Sequence, residues 1–343
     1  MTVKQEIAKY LLQWYDLSAR DLPWRKDKNF YHVWLSEIML QQTRVEAVIP
    51  YYYRFLKHAP DIAALATLDE EVLLKLWEGL GYYQRVRNLQ KAAKQLHQLP
   101  PNQWPKTKEA LQMLPGIGPY TSGAIASIVF EENVAAIDGN VLRVMARILG
   151  IKDSIKERAI QKIIEQNVLD LLPDKRVGDF NQALMELGAT ICIPTGSPRC
   201  EICPLKEECT AFKNNMQNLI PYRSKKTIQQ EESYWLLVLQ HQDTYAIKKR
   251  DNQGVLRGLW GFILLPKDID VTNYLKQNDI PFHSIQDPIY EKHIFTHKIW
   301  HLYMHKIKVT TKPQLEDMIW VSLQQLVNFY SLPTAFRKFI KHL

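Results

Sequence analysis

The sequence predicts an all-helical domain followed by a smaller α+β domain. Three observations predict it. The chain has 343 residues, more than one hydrophobic core usually serves. Apolar residues recur at helical spacing from the N-terminus to about residue 213. Beyond a polar run, the pattern changes to the two-residue alternation of strands.

The first 24 residues are amphipathic and carry Glu6, Asp16 and Asp21. They lack the compact apolar core and small-residue cleavage site of a secretory signal. No apolar run reaches the ~18 residues of a membrane span, so the default expectation is a cytoplasmic protein. Residues 33–49 have apolar side chains at helical spacing and are expected to end before Pro50. Helices over 71–80 and 86–96 follow, with Gly79 and Gly81 as breakers between them. Helices over 108–114 and 120–130 flank a Gly-rich turn, and 141–149 and 179–191 read as further amphipathic helices.

This first domain spans 1–213. The run 214–232 is polar, carries Arg223, Lys225 and Lys226, and reads as a linker. The second domain spans 233–343. Residues 234–239 form a short apolar strand, Asp243-Thr244 a turn and 245–249 the partner strand. Residues 294–309 alternate over a long stretch, and helices over 315–330 and 334–341 close the chain. The sequence has no internal repeat and no low-complexity segment.

The net charge of +8 and the pI near 9.1 favour a polyanionic partner, nucleic acid first. All the cysteines lie in one stretch, as Cys192-x7-Cys200-x2-Cys203-x5-Cys209. Such confinement in a large chain does not suit a disulfide framework. It suits one metal centre, and the loop 192–209 could wrap either a tetrahedral zinc or an iron–sulfur cubane.

The turn Leu114-Pro115-Gly116-Ile117-Gly118-Pro119-Tyr120-Thr121 lies between two helices. Its glycines allow a tight turn and close approach of a ligand, and the helix after it offers free N–H groups suited to a phosphate. It reads as a DNA-backbone clamp or as an ordinary tight turn between helices. Glu37 is embedded in Val33-Trp34-Leu35-Ser36-Glu37-Ile38-Met39-Leu40. A carboxyl among apolar neighbours should have a raised pKa, as a general acid needs, though it could serve a structural hydrogen bond instead. Asp138 opens Asp138-Gly139-Asn140 before a helix, where Asp is a favoured N-cap. Two carboxyl groups of this kind are what cleavage of a glycosidic bond requires.

These motifs together resemble adenine DNA glycosylases of the MutY type, within the endonuclease III-like helix-hairpin-helix superfamily. The resemblance rests on Leu22-Pro23-Trp24-Arg25, on Trp34 through Thr43, and on Trp77-Glu78-Gly79-Leu80-Gly81-Tyr82-Tyr83. It continues through the Gly-rich turn, Asp138-Gly139-Asn140-Val141, Phe180 through Gly188 and the cysteines, in order.

The resemblance implies a glycosylase acting on adenine opposite 8-oxoguanine or G in double-stranded DNA, as a monomer. Glu37 would protonate adenine N7 and later assist water, and Asp138 would stabilise the cationic sugar or bond to it transiently. Tyr120 and Asn140 would support that charge. Arg25 and Gln182 would line the adenine pocket, and Gln42, Thr43, Leu80 and Tyr82 would wedge into the duplex. Gly116, Gly118 and Thr121 would form the backbone clamp. The cysteines would bind a [4Fe-4S] cluster, although the first gap is x7 where the family usually has x6. Tyr120 stands where bifunctional relatives carry a Schiff-base Lys, implying a monofunctional enzyme.

The second domain resembles the family's Nudix-like 8-oxoguanine recognition module. Gly258-Leu259-Trp260-Gly261-Phe262 approximates Gly-Leu-Trp-Glu-Phe, with Gly261 for Glu. Phe295-Thr296-His297 matches the Phe-Ser-His recognition loop. The Glu-rich metal motif of a pyrophosphatase does not appear, so no nucleotide hydrolysis is expected. His293, His297, His301 and His305 recur every four residues and would share one face of a strand. They could bind metal, but a polar strand face is the plainer reading. The rival functions are an endonuclease III-like lyase acting on oxidised pyrimidines, a catalytically silent DNA-binding scaffold and a zinc-dependent structural module.

Overall fold

A computed structural model describes residues 3–222, 229–251 and 254–343. Up to residue 222 the described elements are helical. They are α1 Val3–Ser18, α2 Phe30–Leu40, α3 Val45–His58, α4 Ile62–Thr67, α5 Glu70–Leu76 and α6 Gln84–His97. After these come α7 Lys108–Leu111, α8 Pro119–Phe130, α9 Gly139–Leu149, α10 Arg158–Leu171, α11 Val177–Thr190 and α12 Thr210–Lys213. From residue 229 onward, strands β1 Gln230–His241, β2 Thr244–Lys249, β3 Trp260–Gly261 and β4 Ile263–Pro266 precede α13 Val271–Gln277. Then come β5 Phe282–Ile285, β6 Ile289–Ile294, β7 Lys298–Val309, β8 Met318–Ser322, α14 Leu323–Asn328 and α15 Thr334–Arg337. No described helix is long and apolar enough to cross a membrane.

The chain divides into two compact units, one of Met1–Thr67 with Arg87–Lys225, the other of Leu68–Val86 with Lys226–Leu343. The first expected domain, 1–213, therefore lacks one of its own segments: α5 and the turn after it group with the second unit.

In the first unit, Leu11 of α1, Val141 and Met145 of α9, Val168 of α10 and Phe180 and Leu184 of α11 share one core. Helix α8 is buried continuously from Thr121 to Ile128, as its nearly unbroken apolar and small composition requires. The sheet of the second unit has β1 and β7 parallel at its centre, in register from Gln230↔Lys298 to Gln240↔Lys308. Alternation on β1 sends Leu236 and Val238 to one core, with Trp300, Leu302 and Phe336. Leu237 and Leu239 go to a second, with Ile307 and Leu275 of α13.

Several expected boundaries differ. The helix over 33–49 is two helices, broken where Gln42 takes a left-handed φ of 58°. Pro50 lies inside α3 rather than after a helix end. The linker expected over 214–232 is shorter: Ile220 is buried in the first unit's core, and β1 begins at Gln230. Residues 223–228 of that run lie outside the described residues. The alternating stretch 294–309 is the end of β6, a turn at 295–297 and β7. It therefore does not place the four histidines on one strand: His293 is on β6, His297 in the turn, and His301 and His305 on β7. Residues 315–330 are not one helix but β8 followed by α14, whose cap is a Ser322–Gln325 capping box.

Candidate active site

Three helices bring the expected site together. Asn29 caps α2 by accepting from the N–H groups of Tyr31 and His32. Further along this buried helix, Glu37 is only 7% exposed. Tyr120 lies in the first turn of α8, and its hydroxyl donates to Glu37 Oε2 at 2.5 Å, with Met185 Sδ 3.2 Å away. Asp138 caps α9: its Oδ1 accepts from the Val141 N–H at 2.8 Å and its Oδ2 from Asn140 Nδ2 at 2.7 Å.

Burial pushes the Glu37 carboxyl up to about 7, against the Tyr120 hydrogen bond, which favours the ionised form. The nearby charge of Asp138 pushes it the same way as burial, and Arg25 opposes both. Asp138 is itself raised by burial, held back by the N–H groups of Val141 and Asn140 and by the Asn140 side chain. The two carboxyls therefore differ in environment: one is nearly stripped of donors, and the other is held by several. Such a difference separates an acid from a carboxylate.

Both line a single pocket of about 670 Å³, with Arg25, Gln42, Thr43, Gly116, Gly118, Tyr120, Thr121, Asn140 and Gln182. That volume accommodates a purine. Gly116 adopts φ +81°, and a Cβ there would lie 2.7 Å from Asn88 Cβ, so the turn before α8 needs glycine. Gly118 has open space where its side chain would be. The structure places Leu80, Tyr82 and the run Phe295–His297 elsewhere, in the second unit. There Leu80 is buried and Tyr82 half-exposed. Phe295 packs edge-on against Trp300, and its N–H donates to Lys298 O to close a turn that leaves Thr296 and His297 exposed.

Sequence reasoning missed the residues that hold the site. Glu186 is fully buried and accepts from Arg20 Nε at 2.6 Å and Arg25 Nη2 at 2.8 Å, which fixes the Arg25 side chain. Burial raises its carboxyl, but the hydrogen bonds and charges of Arg20 and Arg25 outweigh that and hold it below its ordinary value. Arg143 Nη2 donates to Asn140 Oδ1 at 2.9 Å and to Gly188 O at 2.8 Å. The available signals were charged residues inside apolar helices: Glu186 one turn after Gln182, and Arg143 one turn before Arg147.

The four cysteines line one apolar cavity with Val144, Ile148, Leu187 and Leu205. Arg147 Nη1 donates to Cys192 Sγ at 3.1 Å. No three His, Cys, Asp or Glu side chains among the described residues are grouped to share one metal ion. Four thiols spread around a cavity nevertheless suit a thiolate-held cluster. Within the first gap residues 194–197 are exposed, and the Arg199 N–H donates to Ile191 O.

The model of the HhH-GPD superfamily of base excision DNA repair proteins matches residues 35–169, and that of the NUDIX domain matches 234–342. The helical scaffold resembles a thermostable thymine-DNA glycosylase, with a TM-score of 0.55 and 25% identity over 62% of this chain and 97% of that one. An endonuclease III–DNA complex shares the fold at a TM-score of 0.52 and 21% identity, over 63% of this chain and 100% of that one. Scaffold and pocket thus define a helix-hairpin-helix protein of base excision repair. Among sequences, the adenine DNA glycosylase of Buchnera aphidicola subsp. Baizongia pistaciae is 36% identical over 96% of this chain and 94% of its own length. That of Arabidopsis thaliana is 35% identical over 92% of this chain and 59% of its own. The chain belongs to the adenine DNA glycosylase family.

Proposed function

We propose that the chain hydrolyses the N-glycosidic bond of adenine mispaired with 8-oxoguanine or G in duplex DNA. The observation that carries this is the pairing, in one pocket, of a donor-poor Glu37 with a donor-rich Asp138. Cleavage needs an acid to protonate the leaving base and a carboxylate to stabilise the oxocarbenium-like sugar. Glu37, protonated near neutrality, delivers its proton to adenine N7. Asp138 faces the developing cation, and Tyr120 and Asn140 support it. Arg25, fixed by Glu186, and Gln182 contact the adenine. An adenine inside a duplex is out of reach, so it must be flipped into the pocket. Gln42, Thr43, Leu80 and Tyr82 act as wedges, while Gly116, Gly118 and Thr121 hold the backbone.

Phe295, Thr296 and His297 supply an aromatic face, a hydroxyl and an imidazole to read the oxidised partner base. Cys192, Cys200, Cys203 and Cys209 would hold a [4Fe-4S] cluster. When bound, such a cluster cross-links the loop through four thiolates and can exchange an electron. With Tyr120 in place of an amine nucleophile, the enzyme is monofunctional.

The test is incubation with a duplex holding one A:8-oxoG pair. Strand cleavage at the adenine only after alkali is expected. Cleavage at an oxidised pyrimidine without alkali would favour the lyase reading, and no cleavage on any substrate would favour a silent scaffold.

A further inference from the structure

The second unit takes up one segment from far outside its own stretch of chain, Leu68–Val86, which carries Leu80 and Tyr82. Two carboxylates tie it down. Glu71 accepts from Trp260 Nε1 at 2.8 Å and from Lys249 Nζ at 2.9 Å. Glu78, buried, accepts from the Leu332 N–H at 2.8 Å and from Lys75 Nζ at 2.8 Å, with Arg337 Nη1 3.5 Å away. The segment ends against the exposed turn after β6, where the Tyr82 and Thr296 hydroxyls are hydrogen-bonded.

We infer that Glu71 and Glu78 are positioning residues, and that the second unit uses them to hold the Leu80–Tyr82 wedge in register with the lesion-reading turn. The inference rests on the wedge and lesion roles proposed above. Its physical basis is that a short helix such as α5, seven residues long, is not stable by itself. In the turn that follows, Tyr82 takes a left-handed φ of 50°, a conformation costly for a non-glycine residue that its surroundings must hold. Hydrogen bonds to a charge provide this support, part-buried at Glu71 and buried where Glu78 caps the Leu332 N–H, which would otherwise lose its partner. The wedge and the reader are then one rigid piece, so that inserting Tyr82 presents Thr296 to the neighbouring base.

The test uses the full chain. Glu71→Ala and Glu78→Ala are compared with Glu71→Gln and Glu78→Gln, which keep an acceptor for Trp260 and for Leu332. Without DNA, amides of 70–86 are expected to exchange roughly tenfold faster in the Ala variants, the size of one lost hydrogen bond to a charge. Amides of α2 and α8 should be unchanged. With a duplex carrying 2-aminopurine beside an A:8-oxoG pair, the parent should raise the fluorescence by unstacking the base. The Ala variants should lose most of that rise and the Gln variants should keep it. Trp260→Phe removes a single donor and serves if an Ala variant does not fold. Exchange and fluorescence equal to the parent in the Ala variants would overturn the inference. A parent that excises adenine equally opposite 8-oxoG and G would instead overturn the lesion reading, and the DNA-free exchange would still decide the clamp.

Discussion

The Tyr120 hydroxyl donates to Glu37 Oε2 across 2.5 Å, joining two helices whose residues are 83 positions apart. This bond favours the ionised carboxylate, while burial favours the acid, and burial wins. Excision should therefore fall as pH rises through about 7. Tyr120→Phe removes the opposing hydrogen bond, so the alkaline limb should move to higher pH even if the maximal rate drops. Single-turnover rates across pH 5–9 measure this, and a limb that stays in place would break the link between the two residues.

Glu37→Gln should lower the excision rate roughly 10²–10⁴-fold, the usual cost of losing an acid–base group. The same substitution should stabilise the fold in alkali. Below the ordinary value of 4.5 the carboxyl is neutral in both the folded and unfolded states. As pH rises towards about 7 only the unfolded chain ionises freely, so stability is lost, by roughly 3 kcal/mol above pH 7. Denaturant melts should therefore show a gain for Gln at pH 8 that disappears at pH 4. An equal effect at both pH values would mean that Glu37 is not held neutral.

Iron and acid-labile sulfide should co-purify with the chain, giving broad absorbance near ~400 nm. Cys203→Ser should lose most of that absorbance. Elemental analysis finding zinc and no iron would replace the cluster with a structural zinc.

Phe295→Ala with His297→Ala should reduce the preference for A:8-oxoG over A:G while largely sparing excision from A:G. Phosphate contacts supply affinity without discriminating, so the preference must come from groups that touch the partner base. Rate ratios equal to those of the parent would place lesion reading in the first unit.

Gly261→Glu restores the residue the family signature carries at this position and should nonetheless destabilise the protein. A Cβ there would lie 2.5 Å from the ring of Phe336, which is fully buried. Overpacking of this kind costs about 1–3 kcal/mol. A melting temperature unchanged from the parent would show that the Phe336 ring can move aside.

Much of the site was legible because its parts are written in contiguous motifs. Glu37 stands out as an acid in an apolar helix, Asp138 as a cap, and the cysteines by their confinement. Glu186 was not legible, because its partner Arg20 is 166 positions away in sequence, and for Arg143 the sequence showed the nearby Asn140 but not Gly188, 45 positions on, which completes its hydrogen bonds. The break between α2 and α3 was hidden because Gln42, not a glycine, takes the left-handed turn, and Pro50 continues the next helix. Periodicity shows that residues 70–76 form a helix with a buried face. It does not show which body buries that face, so the placement of α5 in the second unit could not be read.

The split second unit also sets an order of events during translation. Residues 68–86 leave the ribosome well before β1, β7 and the C-terminal helices exist. At ordinary elongation rates the delay is on the order of ten seconds. Through that interval Glu71 and Glu78 have none of their partners from Lys249, Trp260, Leu332 or Arg337. Residues 68–86 can therefore complete their hydrogen bonds only after Leu332 and Arg337 have been made.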